Sequence, residues 1–234
     1  MPLVVKNLII INALFFLARY TLASTLNIDL NSVLGLYYYN SPEFNPYQLI
    51  SYMFMHGGFS HIFFNMFALW MFGTQIENLW GPKRFLNYYL ITGFGAAFLH
   101  YLIIHFQILG LESYFTSNQI SEIVNSGAFN PSSPLFSKAR MLYGLHHTPV
   151  VGASGAVFGL LLAYGMTYPN QIIYLNLLFP IKAKYFVIIY GLLEFFMGVQ
   201  NGAGDNVAHF AHIGGMLFGF LLIKYWKKND MNFY

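Results

Sequence analysis

The feature that most constrains this chain is the spacing of its apolar runs. Six stretches, roughly residues 5–24, 49–73, 85–106, 150–168, 184–200 and 206–226, are apolar over the length that crosses a bilayer core, which takes about 20 residues as a helix. Charge is correspondingly scarce. Asp, Glu, Lys and Arg make up 8% of the 234 residues, whereas a soluble domain carries about 25%. A chain that is 57% hydrophobic cannot clothe a water-soluble globule of this size in polar surface. Backbone N–H and C=O groups left unpaired in lipid are costly, so the spans are expected to be helices. The expected fold class is an all-α polytopic membrane protein, with one membrane domain over residues 1–234. The first run, in "MPLVVKNLIIINALFFLARYTLAS", also has the look of a signal peptide. A retained span is preferred, because the later spans need it to alternate correctly.

The cations give the expected orientation. With six alternating spans, Lys6, Lys83, Arg84, Lys182, Lys184, Lys224, Lys227 and Lys228 fall on one side, and only Arg19, Lys138 and Arg140 on the other. The positive-inside rule then puts both termini in the cytoplasm. The cations are scattered, mostly in pairs, so no nucleic-acid partner is expected. There is no cysteine, which excludes disulfides and thiol catalysis. Two outer connections are long, 25–48 and 107–149. The second contains "NPSSP" and is expected to hold short interfacial helices. The apolar "YLNLLFPIKAKY" at 174–185 is expected to lie along the inner interface. The absence of an internal repeat weighs against an inverted-repeat transporter.

Against this background the polar residues inside the runs stand out, since ionisable groups at membrane depth are functional by default. They gather near the outer ends of three spans. "MHGGFSHIFFNMF" carries His56, His61 and Asn65, "VVGASGAVFGLLLAYG" carries Ser154, and "NVAHFAHIGGMLFGF" carries His209 and His212. His61 and Asn65 are four apart and share a helix face. His212 lies within about 60° of Ala208, Gly215 and Gly219 on a helical wheel, a small-residue face suited to close helix packing. If its neighbour is the helix with Gly155 and Gly159, His212 and Ser154 meet at similar depth. A serine hydroxyl needs a base to become a nucleophile, and histidine is the usual one. The Ser154 backbone N–H at a helix start, with His61 and Asn65, supplies donors for an oxyanion. No aspartate lies inside a span. Glu194 is the sole candidate to orient the histidine, and a Ser–His dyad is expected.

These residues resemble the rhomboid family of intramembrane serine proteases, over nearly the whole chain. "GASG", with Gly152, Ser154 and Gly155, resembles the family's nucleophile motif. "AHIGGMLFG" resembles its histidine motif, with Gly215 three residues after His212. "HGGFSHIFFN" is similar to its His-plus-Asn oxyanion motif, and "ENLWGPKRF" to the stretch after the second span. Phe158 stands where the family often has a tyrosine that stacks on the histidine. The resemblance implies a six-transmembrane-helix rhomboid-like bundle around a water-filled cavity that opens outward. It implies cleavage of peptide bonds within or beside the transmembrane segments of protein substrates, through an acyl-enzyme on Ser154. No metal or cofactor is implied. The compact form suggests a bacterial inner membrane.

Other readings are weaker. An inactive rhomboid-like protein that binds membrane clients usually lacks the serine or the histidine, and both are present here. A channel or small transporter would place polar groups along the inner half of the spans as well. "GAGD" at 202–205 matches half of an intramembrane aspartyl protease signature, but a second aspartate in a neighbouring span is missing. His56, His61, His209 and His212 lack the His-Glu-x-x-His zinc pattern. His56 and His209 are expected to be structural and hydrogen-bonded. His100 and His105 are read as interfacial, and Glu77 and Arg84 as structural.

Overall fold

The computed structural model describes residues 1–175, 179–200 and 208–229. "GAGD" at 202–205 lies outside the described residues. In chain order the helices are α1 Leu3–Leu26, α2 Leu30–Leu34, α3 Gln48–Ser51, α4 Phe59–Ala68, α5 Thr74–Trp80, α6 Pro82–Glu112, α7 Ser117–Ser126, α8 Phe136–His147, α9 Ser154–Thr167, α10 Ala183–Gln200 and α11 His209–Asn229. Strands β1 Ile172–Leu175 and β2 Phe179–Lys182 form an antiparallel hairpin with Ile172 opposite Lys182. The fold is mostly helical, but the hairpin corrects the all-α expectation. The segment at 174–185, expected to lie flat on the inner interface, takes in the end of β1 and all of β2. Ile172, Ile173 and Tyr174 are β-branched or aromatic and suit a pleated ribbon.

The run at 49–73 also differs from a single span. Its first part folds as α3 and a 3₁₀ turn at Tyr52–Phe54, and the chain leaves helical structure at Met55–Gly58. The helical run begins at Phe59 and continues through α4, a π-helical turn at Leu69–Gly73 and α5. The two glycines at 57 and 58 explain the break, since glycine forfeits the most backbone entropy in a helix. Among the described residues, α1, α6 and α10 are long and apolar enough to cross a membrane. Their outward faces carry exposed Leu14, Leu17, Phe98, Phe106, Leu192 and Phe196, a distribution that suits lipid rather than water.

The core forms where α6, α9 and α11 cross. Phe85, Tyr88 and Tyr89 of α6 are fully buried, and the Tyr88 hydroxyl donates to the Gly159 carbonyl at 2.8 Å. A side-chain carbon on Gly215 would collide with the Gly155 carbonyl, one on Gly155 with Ala96, and one on Gly159 with Thr92. The expected α9–α11 contact is therefore present at Gly155 and Gly215. Gly159 instead faces Thr92 of α6 and Gly219 faces Tyr88, because α6 packs against both helices. The first helix is held at its start. The Val4 and Val5 N–H groups donate to the two Glu77 carboxylate oxygens at 2.9 and 2.8 Å. A carboxylate at a helix N-terminus satisfies unpaired donors and complements the helix dipole, so the structural role expected of Glu77 is a cap on α1.

Candidate active site

The loop before α9 sets the position of Ser154. Leu36 and Val150 exchange two backbone hydrogen bonds at 2.9 Å each, and the Gly152 N–H donates to the Tyr52 carbonyl at 2.9 Å. Two separate segments thus fix residues 150–152, and α9 starts only at Ser154 rather than near 150. Gly152 has φ +133°, where L side chains are strained, and a Cβ there would lie 2.8 Å from His61 Nε2. Two independent facts require glycine at this position.

Ser154 is the first residue of α9, with Ala153 as N-cap. The first intrahelical bond at this end runs from the Val157 N–H to the Ala153 carbonyl. The N–H of Ser154 belongs to the set of donors that a helix start leaves without an intrahelical partner. The Ser154 hydroxyl lies 2.8 Å from His212 Nε2. The His212 ring stacks on Phe158, with centroids 4.2 Å apart and planes within 6°. Phe158 therefore does what stacking requires without a hydroxyl.

His61 approaches from α4. The Gly57 N–H donates to His61 Nδ1 at 3.3 Å. In the neutral ring this leaves Nε2 as the N–H donor, and Nε2 is the atom beside Gly152, near the Ser154 hydroxyl. Arg19 holds the loop that carries this N–H. Its guanidinium donates to the His56 and Gly57 carbonyls at 2.8 and 3.0 Å. Asn65 is buried one turn further along α4, and one of its amide N–H groups donates to the His61 carbonyl at 3.0 Å. The structure thus ties Asn65 to His61 rather than directly to Ser154, and leaves the second amide N–H in its chemical inventory.

Glu194, the sole candidate to orient the histidine, reaches it from α10. Its Oε2 accepts from His212 Nδ1 at 2.8 Å and from His209 Nδ1 at 2.6 Å, with all three residues buried. The expected dyad has a carboxylate behind it. The sequence signal was present, a lone carboxylate in an apolar span, but its partner is set by how α10 packs on α11 and not by any local spacing. His209 is structural and hydrogen-bonded, as expected. His56 is buried, but among the described residues neither ring nitrogen has a hydrogen-bond partner, and its ring sits edge-on to His61 at 5.0 Å. His105 Nδ1 pairs with the Tyr38 hydroxyl at 2.8 Å, within a helix that continues past the expected span end to Glu112.

The ligand atoms of Glu194, His209 and His212 lie within 4.8 Å of one another, so these residues have the donor types to hold a divalent cation. The two N–H···O bonds already account for their placement.

The sequence matches the model of the Rhomboid domain over residues 43–228. It is 31% identical to RHOMBOID-like protein 12, mitochondrial, of Arabidopsis thaliana, over 71% of this chain and 42% of that protein. It is 28% identical to Rhomboid protease GluP of Bacillus subtilis, over 74% of this chain and 25% of that protein. It is 28% identical to Rhomboid protease AarA of Providencia stuartii, over 73% of this chain and 52% of that protein. The matched region spans about half or less of each of these relatives. A family model that covers most of the chain, and a relative 31% identical over 71% of it, lead to one conclusion: this chain belongs to the rhomboid family.

Proposed function

We propose that this chain is an intramembrane serine endopeptidase that cuts peptide bonds within or next to the transmembrane segments of protein substrates. The observation that carries the reading is the 2.8 Å contact between the Ser154 hydroxyl and His212 Nε2 at the start of α9. His212 takes the hydroxyl proton on Nε2 while Oγ bonds to the substrate carbonyl carbon. The oxyanion that results is stabilised by the Ser154 N–H, His61 Nε2–H and the Asn65 amide. His212 then gives the proton to the departing amine nitrogen as the C–N bond breaks, leaving an ester on Ser154. Water attacks the ester, gives a proton to His212, and Oγ leaves with that proton returned to it. No metal or cofactor takes part.

The chain forms a single membrane domain over 1–234 with six spans, the elements from Phe59, Ser154 and His209 joining α1, α6 and α10. The 14 residues of α9 extend about 21 Å, short of a ~30 Å hydrocarbon core. A helix of that length, enclosed by longer ones, starts below the membrane surface. Ser154 then sits in a water-accessible cavity at membrane depth, where a substrate helix can present its backbone. Both termini are cytoplasmic, in a bacterial inner membrane.

The test is cleavage of a model transmembrane substrate by purified protein in detergent. Ser154→Ala and His212→Ala each abolish cutting while the protein stays folded. A fluorophosphonate probe labels Ser154 in the wild type and nothing in Ser154→Ala. Full activity in either variant refutes the mechanism.

A further inference from the structure

Glu194 stands out on α10. Its neighbours Leu192, Leu193, Phe195 and Phe196 are about half exposed or more, at 52%, 50%, 48% and 59%, whereas Glu194 is 8% exposed. The one acidic side chain on an otherwise lipid-suited helix points inward, to the imidazole that faces Ser154. A buried carboxylate is tolerated only when it is hydrogen-bonded. Here two N–H groups reach the same oxygen, from His209 and His212, which lie three residues apart on one face of α11.

We infer that Glu194 is a positioning residue for the proposed reaction, and that His209 holds its carboxylate in place. The inference rests on the Ser154–His212 mechanism and extends it. A carboxylate oxygen accepts and does not donate, so His212 Nδ1 must carry the hydrogen. This fixes the tautomer that leaves Nε2 with a lone pair toward the Ser154 hydroxyl, 2.8 Å away. When Nε2 takes the serine proton, the imidazolium forms with its other N–H already directed at the carboxylate. That pairing is stronger in the transition state than in the ground state, which is what accelerates a chemical step. His209 supplies the second donor, so the carboxylate cannot rotate away when His212 changes charge. Phe158 restrains the ring in the perpendicular direction through its stacking.

The test compares wild type, Glu194→Gln and Glu194→Asp in the detergent cleavage assay and in the rate of fluorophosphonate labelling, which reports on Ser154, its base and the oxyanion donors without a peptide substrate. Glu194→Gln lowers kcat and the labelling rate together, by about 10²-fold, with KM and the unfolding midpoint close to wild type. Glu194→Asp, which keeps the charge, recovers part of both rates. A folded Glu194→Gln with wild-type kcat and labelling overturns the inference, as does a change in KM alone. If Glu194→Gln does not fold, His212 replaced by Nδ1-methylhistidine tests the same hydrogen bond with the carboxylate intact. Wild-type labelling there overturns the inference, and loss of labelling supports it. Activity lost with EDTA and restored by Zn²⁺ also overturns it, because the three side chains would then be a metal centre. The two levels separate cleanly. Cleavage by Ser154→Ala removes the mechanism itself, whereas an inert Ser154→Ala beside a fully active Glu194→Gln removes only the role of Glu194.

Discussion

Gly152 and His61 depend on each other. The backbone at Gly152 adopts φ +133°, and the missing side chain makes the space that His61 Nε2 occupies. Gly152→Ala forces a strained backbone, at about 1–3 kcal/mol, and displaces the His61 ring from the nucleophile. It should lower kcat by at least about tenfold and reduce the unfolding midpoint, read by the cleavage assay and by thermal denaturation. His61→Phe keeps a ring of similar size and removes the donor. Loss of one oxyanion donor costs about 10²–10³ in kcat, and the labelling rate should fall with it. Asn65→Ala should slow cleavage less, because the Ser154 N–H and His61 remain. At this scale the sequence was informative: Ser154, His212, His61, Asn65, Gly152 and Phe158 are all brought to one place. One feature could not be read from it, the tautomer of His61, which depends on the Gly57 N–H and not on a local spacing. Glu194 was the sole candidate to orient His212, but the oxygen it shares between His212 and His209 depends on how α10 packs on α11.

Helices that approach backbone to backbone leave no room for substitution. At the α9–α11 crossing a Cβ on Gly215 would meet the Gly155 carbonyl itself, so no rotamer change relieves it. Overpacking of this kind typically costs 1–3 kcal/mol or about that range when side chains can shift, and more where the obstacle is backbone. Gly215→Val should therefore yield little folded protein and no cleavage. Gly110→Val on α6, where a Cβ meets nothing within 4 Å, should fold normally. Detergent-solubilised yield and unfolding midpoint distinguish the two. The small-residue face of α11 was legible from periodicity, but its division between two partners was not. Periodicity identifies a face and says nothing of how many helices share it. The same limit explains the segment boundaries. An apolar run records solvent preference, so 49–73 looked continuous although Met55–Gly58 leaves the helix, and 150–168 looked helical throughout although Val150 pairs with Leu36.

The two long connections, 25–48 and 107–149, are joined to each other away from the site. Glu43, in the first, accepts from His147 Nδ1 at 2.8 Å and from the Ser41 hydroxyl at 2.6 Å. His147 Nε2 lies 2.7 Å from the Val124 carbonyl of α7. A carboxylate and a carbonyl both accept only, so both bonds form together only when His147 carries two protons. Burial raises the Glu43 carboxyl, but the Ser41 hydroxyl and His147 outweigh it and hold the carboxyl below its ordinary value of 4.5. Burial lowers the neighbouring His146, and the His147 charge adds to this more than Glu43 opposes it, so His146 does not compete for the carboxylate as a cation. The sign follows by linkage. A carboxyl depressed in the folded state contributes stability above 4.5 and loses it as pH falls through the depressed value. Segment 107–149 should therefore become more open to limited proteolysis as pH falls through that depressed value. Glu43→Gln should remove the acid-side transition and raise cleavage within the segment at neutral pH. Because the Glu43 side chain is 40% exposed, solvent screens the pair and the loss is local. The folded bundle and the labelling of Ser154 should persist, so a Glu43→Gln variant that unfolds globally at neutral pH would contradict this account.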